Sequence, residues 1–392
     1  MTGNYWELIS SQPVEGTDLI ETIWHTHRPP EGEYDTVGLR RLIADNNLDP
    51  ADVIVYLPPS ATSARLYTNS EAYDFRIYLA NRGHDVFSVD YRASFVPPGE
   101  TDISCIAKWT TRVHLDDIQD AVKTVKGITG AAKVYLAGHS TGARYVYLYA
   151  AKRWEEDVAG MIVLDGAPWE SYGPEELYSM DMDKCYAALS EGDTPENRKL
   201  FKSYGLTPGD HYYEATMAEF DSEFYEAIGA YLHDPGARSP VPDFDTAKDY
   251  IASQFHNVWG AKQFSNVLEG YASVGMLVAF VVRAAVPYWP LVDYAEEAYI
   301  GNWNGKPPKP ELQFHDGICE IDVPLIVFAS EEWTTALGMQ FWYKQLGPVM
   351  VKSTDAEFHL LENFGHIDVL LGEYAKQQVF EPLHGWLLKH HE

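Results

Sequence analysis

The sequence predicts an α/β fold: a mostly parallel central sheet with helices on both faces, broken by a large, mainly helical insertion. From about residue 50, short apolar runs of strand length alternate with stretches of helical periodicity. One of these runs ends in Gly138-His139-Ser140-Thr141-Gly142 and passes into Ala143–Ala151, which holds no helix breaker. The alternation then stops at Gly166-Ala167-Pro168 and resumes only at Asp322. Strands that alternate with helices need crossover connections, which make neighbouring strands parallel and cover both faces of the sheet.

Taken in order, residues 1–50 read as an antiparallel edge, Leu19-Ile20-Glu21-Thr22-Ile23-Trp24-His25, followed by a helical connector. Asp52–Leu57 is the first buried-strand run and ends at Pro58-Pro59-Ser60. Residues 71–82 set Ala72, Phe75 and Leu79 at helical spacing, Gly83 closes that helix, and Asp85–Asp90 is the next strand. After a polar loop with Pro97-Pro98, a helix near 114–127 turns Leu115, Ile118, Val122 and Val125 inward. Lys133–Ala137 is the strand that leads to Ser140, and Gly160–Asp165 is the strand after the following helix. Beyond the insertion come a strand at 323–329, a helix near 335–346, a short strand at Glu357–Leu361 and a final helix over 367–389. Residues 1–167 and 321–392 are thus expected to form two parts of one core around an inserted cap, 168–320. The cap is rich in aromatics (Trp169, Tyr172, Phe224, Phe255, Phe280 and Trp289 among them). Most would form its own core, and a minority facing Ser140 would make an apolar pocket.

The pentapeptide reads as a nucleophile elbow. A strand that turns sharply into a helix holds its central residue in a strained conformation that only small flanking residues permit, so glycine stands two positions to either side. Ser140 Oγ is then lifted clear of the backbone, and the N–H of Thr141, at the helix start, points where negative charge would develop on a substrate carbonyl. A serine hydroxyl is a poor nucleophile, so it needs a histidine base and a carboxylate that fixes the imidazole's tautomer. In this topology the chain order is serine, acid, histidine. His366, in Asn363-Phe364-Gly365-His366-Ile367-Asp368, follows the last strand and is the best base; His359 reads as structural and His139 as a packed neighbour of the nucleophile.

Together, the elbow at 138–142, the strand end Asp90-Tyr91-Arg92 and the block Gly365-His366-Ile367-Asp368 resemble the α/β-hydrolase superfamily over about residues 50–390, and within it the capped serine esterases and lipases. The resemblance implies an α/β-hydrolase fold with an acid in the loop after strand 323–329. Here that loop reads Phe328-Ala329-Ser330-Glu331-Glu332-Trp333-Thr334, with Trp333 where the family's aspartate would stand. Glu332 is the first choice. Glu331 is an alternative, as is Asp165, since some members take the acid from the end of the preceding strand. A carboxylate before Gly166-Ala167-Pro168 is also an ordinary turn former. Relatives often supply a second oxyanion donor from a His-Gly after the strand that ends here at Leu57. Pro58-Pro59 has no N–H to give, so Ser60 or Ala61 must supply it, Ser60 first.

These residues point to a serine hydrolase that cleaves a carboxylic ester of a medium or large apolar substrate through an acyl-enzyme on Ser140. An amidase, thioesterase or acyltransferase would use the same groups, and a lyase could use them as acid and base. The usual haloalkane dehalogenase and epoxide hydrolase mechanisms need a carboxylate at the elbow, which Ser140 excludes. A non-catalytic ligand-binding homologue on the same fold is the reading from another class: the displaced acid and the oxyanion-loop prolines favour it, Ser140 and His366 oppose it.

Composition bounds the partners. A formal charge of −29, from 29 basic and 58 acidic residues, opposes an electrostatic hold on nucleic acid or anionic membrane. Cys105, Cys185 and Cys319 show no CxxC spacing, which argues against zinc and disulfides and for a reducing, cytoplasmic setting. The first residues show no basic and apolar signal pattern. Val274–Val282 is the longest apolar stretch and falls short of the ~20 residues of a membrane span. His25-Thr26-His27 marks one face of an edge strand rather than a metal site, and no Gly-x-Gly-x-x-Gly cradle occurs, so neither metal nor cofactor is expected. The expected partner is a small-molecule apolar ester of medium or large size, and the oligomeric state is left open.

Overall fold

The computed structural model of the chain describes residues 5–45, 50–100, 102, 104–168, 184, 187, 188, 194–203, 222–257, 265, 267, 271–290, 292, 293, 296, 317–331, 351–353 and 355–391. Its strands are β1 (Glu7–Pro13), β2 (Leu19–His27), β3 (Thr36–Ala44), β4 (Val53–Leu57), β5 (Asp85–Asp90), β6 (Val134–His139), β7 (Val158–Leu164), β8 (Leu325–Ser330) and β9 (Ala356–Leu361). They form one 9-stranded sheet in the order β1-β2-β3-β5-β4-β6-β7-β8-β9. The pairs from β1 to β5 are antiparallel, and all pairs from β5 through β4 to β9 are parallel.

Strands β4, β5, β6 and β8 are buried along their whole length, as parallel strands covered on both faces must be. One face carries α2 (Thr111–Thr129) and α3 (Thr141–Asp157), whose buried side chains join Val55, Leu57, Leu136 and Val327 in one hydrophobic cluster. The other face joins α1 (Phe75–Ala80) to α5 (Ser222–His233), α6 (Ala247–Asn257) and α7 (Val274–Ala284), numbering Pro195–Ser203 as α4. Phe224, Ile251, Phe255, Leu277 and Val281 of the insertion pack in the same cluster as Tyr56, Ile162 and Phe328 of the sheet. The insertion therefore shares a core with the sheet it interrupts.

Three expectations need correcting. The helical connector is strand β3: Val37 and Leu39 alternate inward, while Arg40 and Arg41 pair with Asp90 at 2.6 Å and Asp85 at 2.7 Å on β5, so both charges are neutralised across strands. The helix expected over 71–82 starts only after Asp74, whose side chain accepts from Arg76 N, leaving Ala72 in the preceding turn. The final helix is broken into α8 (Asp368–Leu371), a π-helical turn at Lys376–Phe380 and α9 (Glu381–His390), because Gly372 is extended (φ −65, ψ 148) and Pro382 has no N–H to continue the ladder. By contrast α2 overruns its expected 114–127 at both ends, capped by Thr110 and by left-handed Gly130. The helix expected at 335–346 lies outside the described residues. Among the described residues no helix is long and apolar enough to cross a membrane.

Candidate active site

The site is assembled at the carboxyl ends of β4, β6 and β7. Ser140 closes β6 and stands ahead of α3 at φ 56, ψ −124, a left-handed conformation for a residue with a side chain. Its N–H donates to Leu164 O at 3.1 Å, tying the elbow to β7. The flanking glycines are sterically required. A Cβ on Gly138 would stand 2.3 Å from Gly142 O, and one on Gly142 would stand 2.0 Å from Leu57 O. The first N–H of α3 belongs to Thr141 and has no partner in the helical pattern.

Asp165 follows β7 at φ 44 and is fully buried. Its Oδ1 accepts from Ser330 N at 2.7 Å and its Oδ2 from Ser330 Oγ at 2.6 Å, both at the end of the neighbouring β8. The same Oδ2 lies 2.7 Å from Nδ1 of His366, which is 2% exposed in the turn after β9. Asp368 fixes that turn by accepting from Gly365 N at 2.8 Å, and its other oxygen takes the hydroxyl of the insertion's Ser265 at 2.7 Å. His139 donates from Nε2 to the carbonyl of His366 at 2.9 Å, with the two rings 4.5 Å apart. The imidazole of His366 is thereby seated beside the elbow.

The loop after β4 is held at both ends. Tyr91 Oη donates to Pro58 O at 3.1 Å, and Asp90 Oδ1 accepts from Ala64 N at 2.6 Å, so the strand end noted in the sequence anchors this loop. Arg92 instead pairs with Asp35 and Asp117, away from the loop. Between the anchors Ser60 is partly exposed, and Ala61 is buried at φ 51.

The family model for the alpha/beta hydrolase fold matches residues 66–187, a span that holds both the elbow and Asp165. Among solved structures, the chain is similar to a candidate lipase from Sulfolobus solfataricus, at 23% identity and a TM-score of 0.71, over 98% of this chain and 99% of that one. The chain has the α/β-hydrolase fold. A hypothetical protein from Pseudomonas aeruginosa shares this α/β-hydrolase architecture at 10% identity and a TM-score of 0.52, covering 97% of this chain and 96% of its own. A search of curated proteins gave no match.

Of the acids considered in the sequence, the structure brings Asp165 to His366. Glu331 is turned to the backbone, its Oε2 accepting from Asn363 N at 3.0 Å, and Glu332 lies outside the described residues. His359 stacks on Phe328 with ring centroids 4.8 Å apart, as a structural residue would. On the sheet's antiparallel edge, His25 stands edge-on to Phe95 and His27 Nδ1 meets Thr36 Oγ1 at 3.1 Å. Among the described residues no group of three or more metal-binding side chains converges. Ser330 escaped the sequence reading, its only signal being a small hydroxyl residue closing the apolar run of β8.

Burial sets the electrostatics of this site. It pushes the Asp165 carboxyl up to about 7 against the pull of the Ser330 donors, and drives His366 down to about 3. His139 is likewise driven down to about 3 by burial and by the neighbouring His366. Both imidazoles are neutral at pH 7. With Nδ1–H given to Asp165, His366 carries its lone pair on Nε2, the tautomer a general base requires.

Proposed function

We propose that the chain is a serine hydrolase of carboxylic esters, with Ser140 as nucleophile, His366 as base and Asp165, in place of Glu332, as the acid that orients it. The hydrogen bond from His366 Nδ1 to the buried Asp165 carries this reading, because it fixes the tautomer that leaves Nε2 available to the hydroxyl of Ser140. Ser140 Oγ attacks the acyl carbon, its proton passes to His366 Nε2, and that proton then goes to the departing alcohol. Water, deprotonated by the same nitrogen, cleaves the acyl-enzyme and restores Ser140. The N–H of Thr141 and a second donor from Ser60 or Ala61 hold the oxyanion. The aromatic-rich insertion supports a medium or large apolar acyl or alcohol group, and residues 168–320 serve as the cap that admits it.

The test is p-nitrophenyl ester hydrolysis across acyl lengths, with fluorophosphonate labelling read by mass spectrometry, on the parent and on Ser140→Ala. Turnover and a single adduct on Ser140, both lost in the variant, are expected. Folded parent that neither turns over nor takes the label would point to the ligand-binding reading instead. Hydrolysis confined to the shortest esters would remove the large apolar substrate.

A further inference from the structure

The loop that must present the second oxyanion donor does not end in its own turn. It is paired, as a short antiparallel bridge, with the segment that follows α7 in the insertion. Thr62 and Ala285 are bridge partners, Val286 N donates to Ala61 O at 2.9 Å, and Ser63 N donates to Ala284 O at 2.7 Å. Ala61, the residue so gripped, is the one at φ 51, a conformation an alanine holds only where its surroundings over-determine it. On the other side the peptide is fixed by the bond from Tyr91 Oη to Pro58 O. Ser60 and Ala61 thus sit between two anchors, one from the sheet and one from the insertion, and Ala61 is only 1% exposed.

We propose that residues 284–286 are a positioning strand for the oxyanion donor, so that this part of the insertion belongs to the catalytic framework and does not swing as a lid. The inference rests on the serine-hydrolase reading. With the bridge in place, Ala61 is kept in its left-handed well and the neighbouring N–H groups stay aimed at the elbow. Without it, Ala61 relaxes to a negative φ and the donor peptide turns away. Preorganised donors of this kind act on the transition state rather than on substrate binding.

Two measurements separate this proposal from the reading beneath it. Val286→Pro deletes the donor to Ala61 O, and Ala285 already has the extended conformation (φ −62, ψ 138) that a following proline demands. In the folded variant the rate of fluorophosphonate labelling at Ser140 should fall at least tenfold, with ester turnover losing kcat and keeping KM. Adding Ala61→Gly, which removes the cost of a positive φ, should restore part of that loss, a rescue that a merely stabilising bridge would not give. A folded Val286→Pro protein labelled at the parental rate overturns the proposal. Hydrogen exchange on the unmodified chain decides the matter where the proline variant fails to fold or the parent takes no label. Amides of Ser63 and Val286 should exchange as slowly as those of α3, and exchange within seconds would mean that the bridge opens and clamps nothing.

Discussion

A carboxylate shut away from solvent holds its orientation only where donors reach it, and Asp165 is reached by the amide and hydroxyl of Ser330 as well as by His366. Asp165→Asn would keep the shape and present an NH2 or a weak acceptor to Nδ1, favouring the wrong tautomer. A loss on the order of 10⁴-fold in kcat is expected, by analogy with the same change in serine proteases. Glu332→Gln should stay near the parent, and kinetics of the two variants side by side assign the acid. The opposite shifts of Asp165 and His366 add a second expectation. With His366 lowered and neutral throughout, the acid limb of kcat/KM follows the buried Asp165, raised to about 7, whose protonation removes the acceptor that orients Nδ1–H, so the rate should fall as pH drops below 7. A profile flat down to pH 5 would contradict that. The proposed nucleophile and base were legible because their surroundings are local: glycines two residues from Ser140, a glycine before His366. The acid was not, because a strand-ending aspartate looks like a turn former until β8 lays Ser330 against it, and that adjacency spans an insertion the sequence cannot fold on paper.

Among elements, the junction between the insertion and the core turns on Asp293. It is fully buried and accepts from Arg144 Nη2 at 2.6 Å, Tyr145 Oη at 2.9 Å, Thr111 Oγ1 at 2.8 Å and Trp289 Nε1 at 3.1 Å. Burial would raise its pKa, yet Arg144 and the hydroxyl donors outweigh that and hold it below the usual carboxylate range. Its partners include Thr111 in the first turn of α2 and Arg144 and Tyr145 in the first turns of α3, so the insertion grips the helix that follows Ser140. Asp293→Ala would take the carboxylate from a buried guanidinium and should cost about 3–5 kcal/mol in urea unfolding. A loss below ~1 kcal/mol would mean that Arg144 finds water or another partner. The same contrast explains which elements could be read beforehand. Strands β4, β7 and β8 announce themselves as near-continuous apolar runs because both faces are covered. Strand β3 does not, because Arg40 and Arg41 satisfy their charges on β5, a strand that arrives some 45 residues later.

For the molecule as a whole, acid stability is the property most exposed to its buried histidines. His114 lies flat against Trp289, ring centroids 5.2 Å apart, and neither ring nitrogen has a hydrogen-bond partner among the described residues. Burial drives its pKa down to about 4, despite the pull of Asp293 and Asp117 and with some help from Arg92 and Arg144. The unfolded chain therefore binds the extra proton first, and stability is lost as pH falls from 6.5 toward 4. At pH 5 the loss from this residue is about 2 kcal/mol, and His114→Phe should narrow the difference between pH 7 and pH 5 unfolding free energies by that amount. An unchanged difference would mean that His114 is already protonated in the fold. Asp165 has a further consequence, for how such a protein can diverge. With the proposed nucleophile and acid at the ends of adjacent strands β6 and β7, both encoded before residue 168, the stretch after Ser330 need not hold a carboxylate at a fixed point. On that reading Glu332 and Trp333 can be rewritten by selection for what the site admits, at no risk to the proposed chemistry.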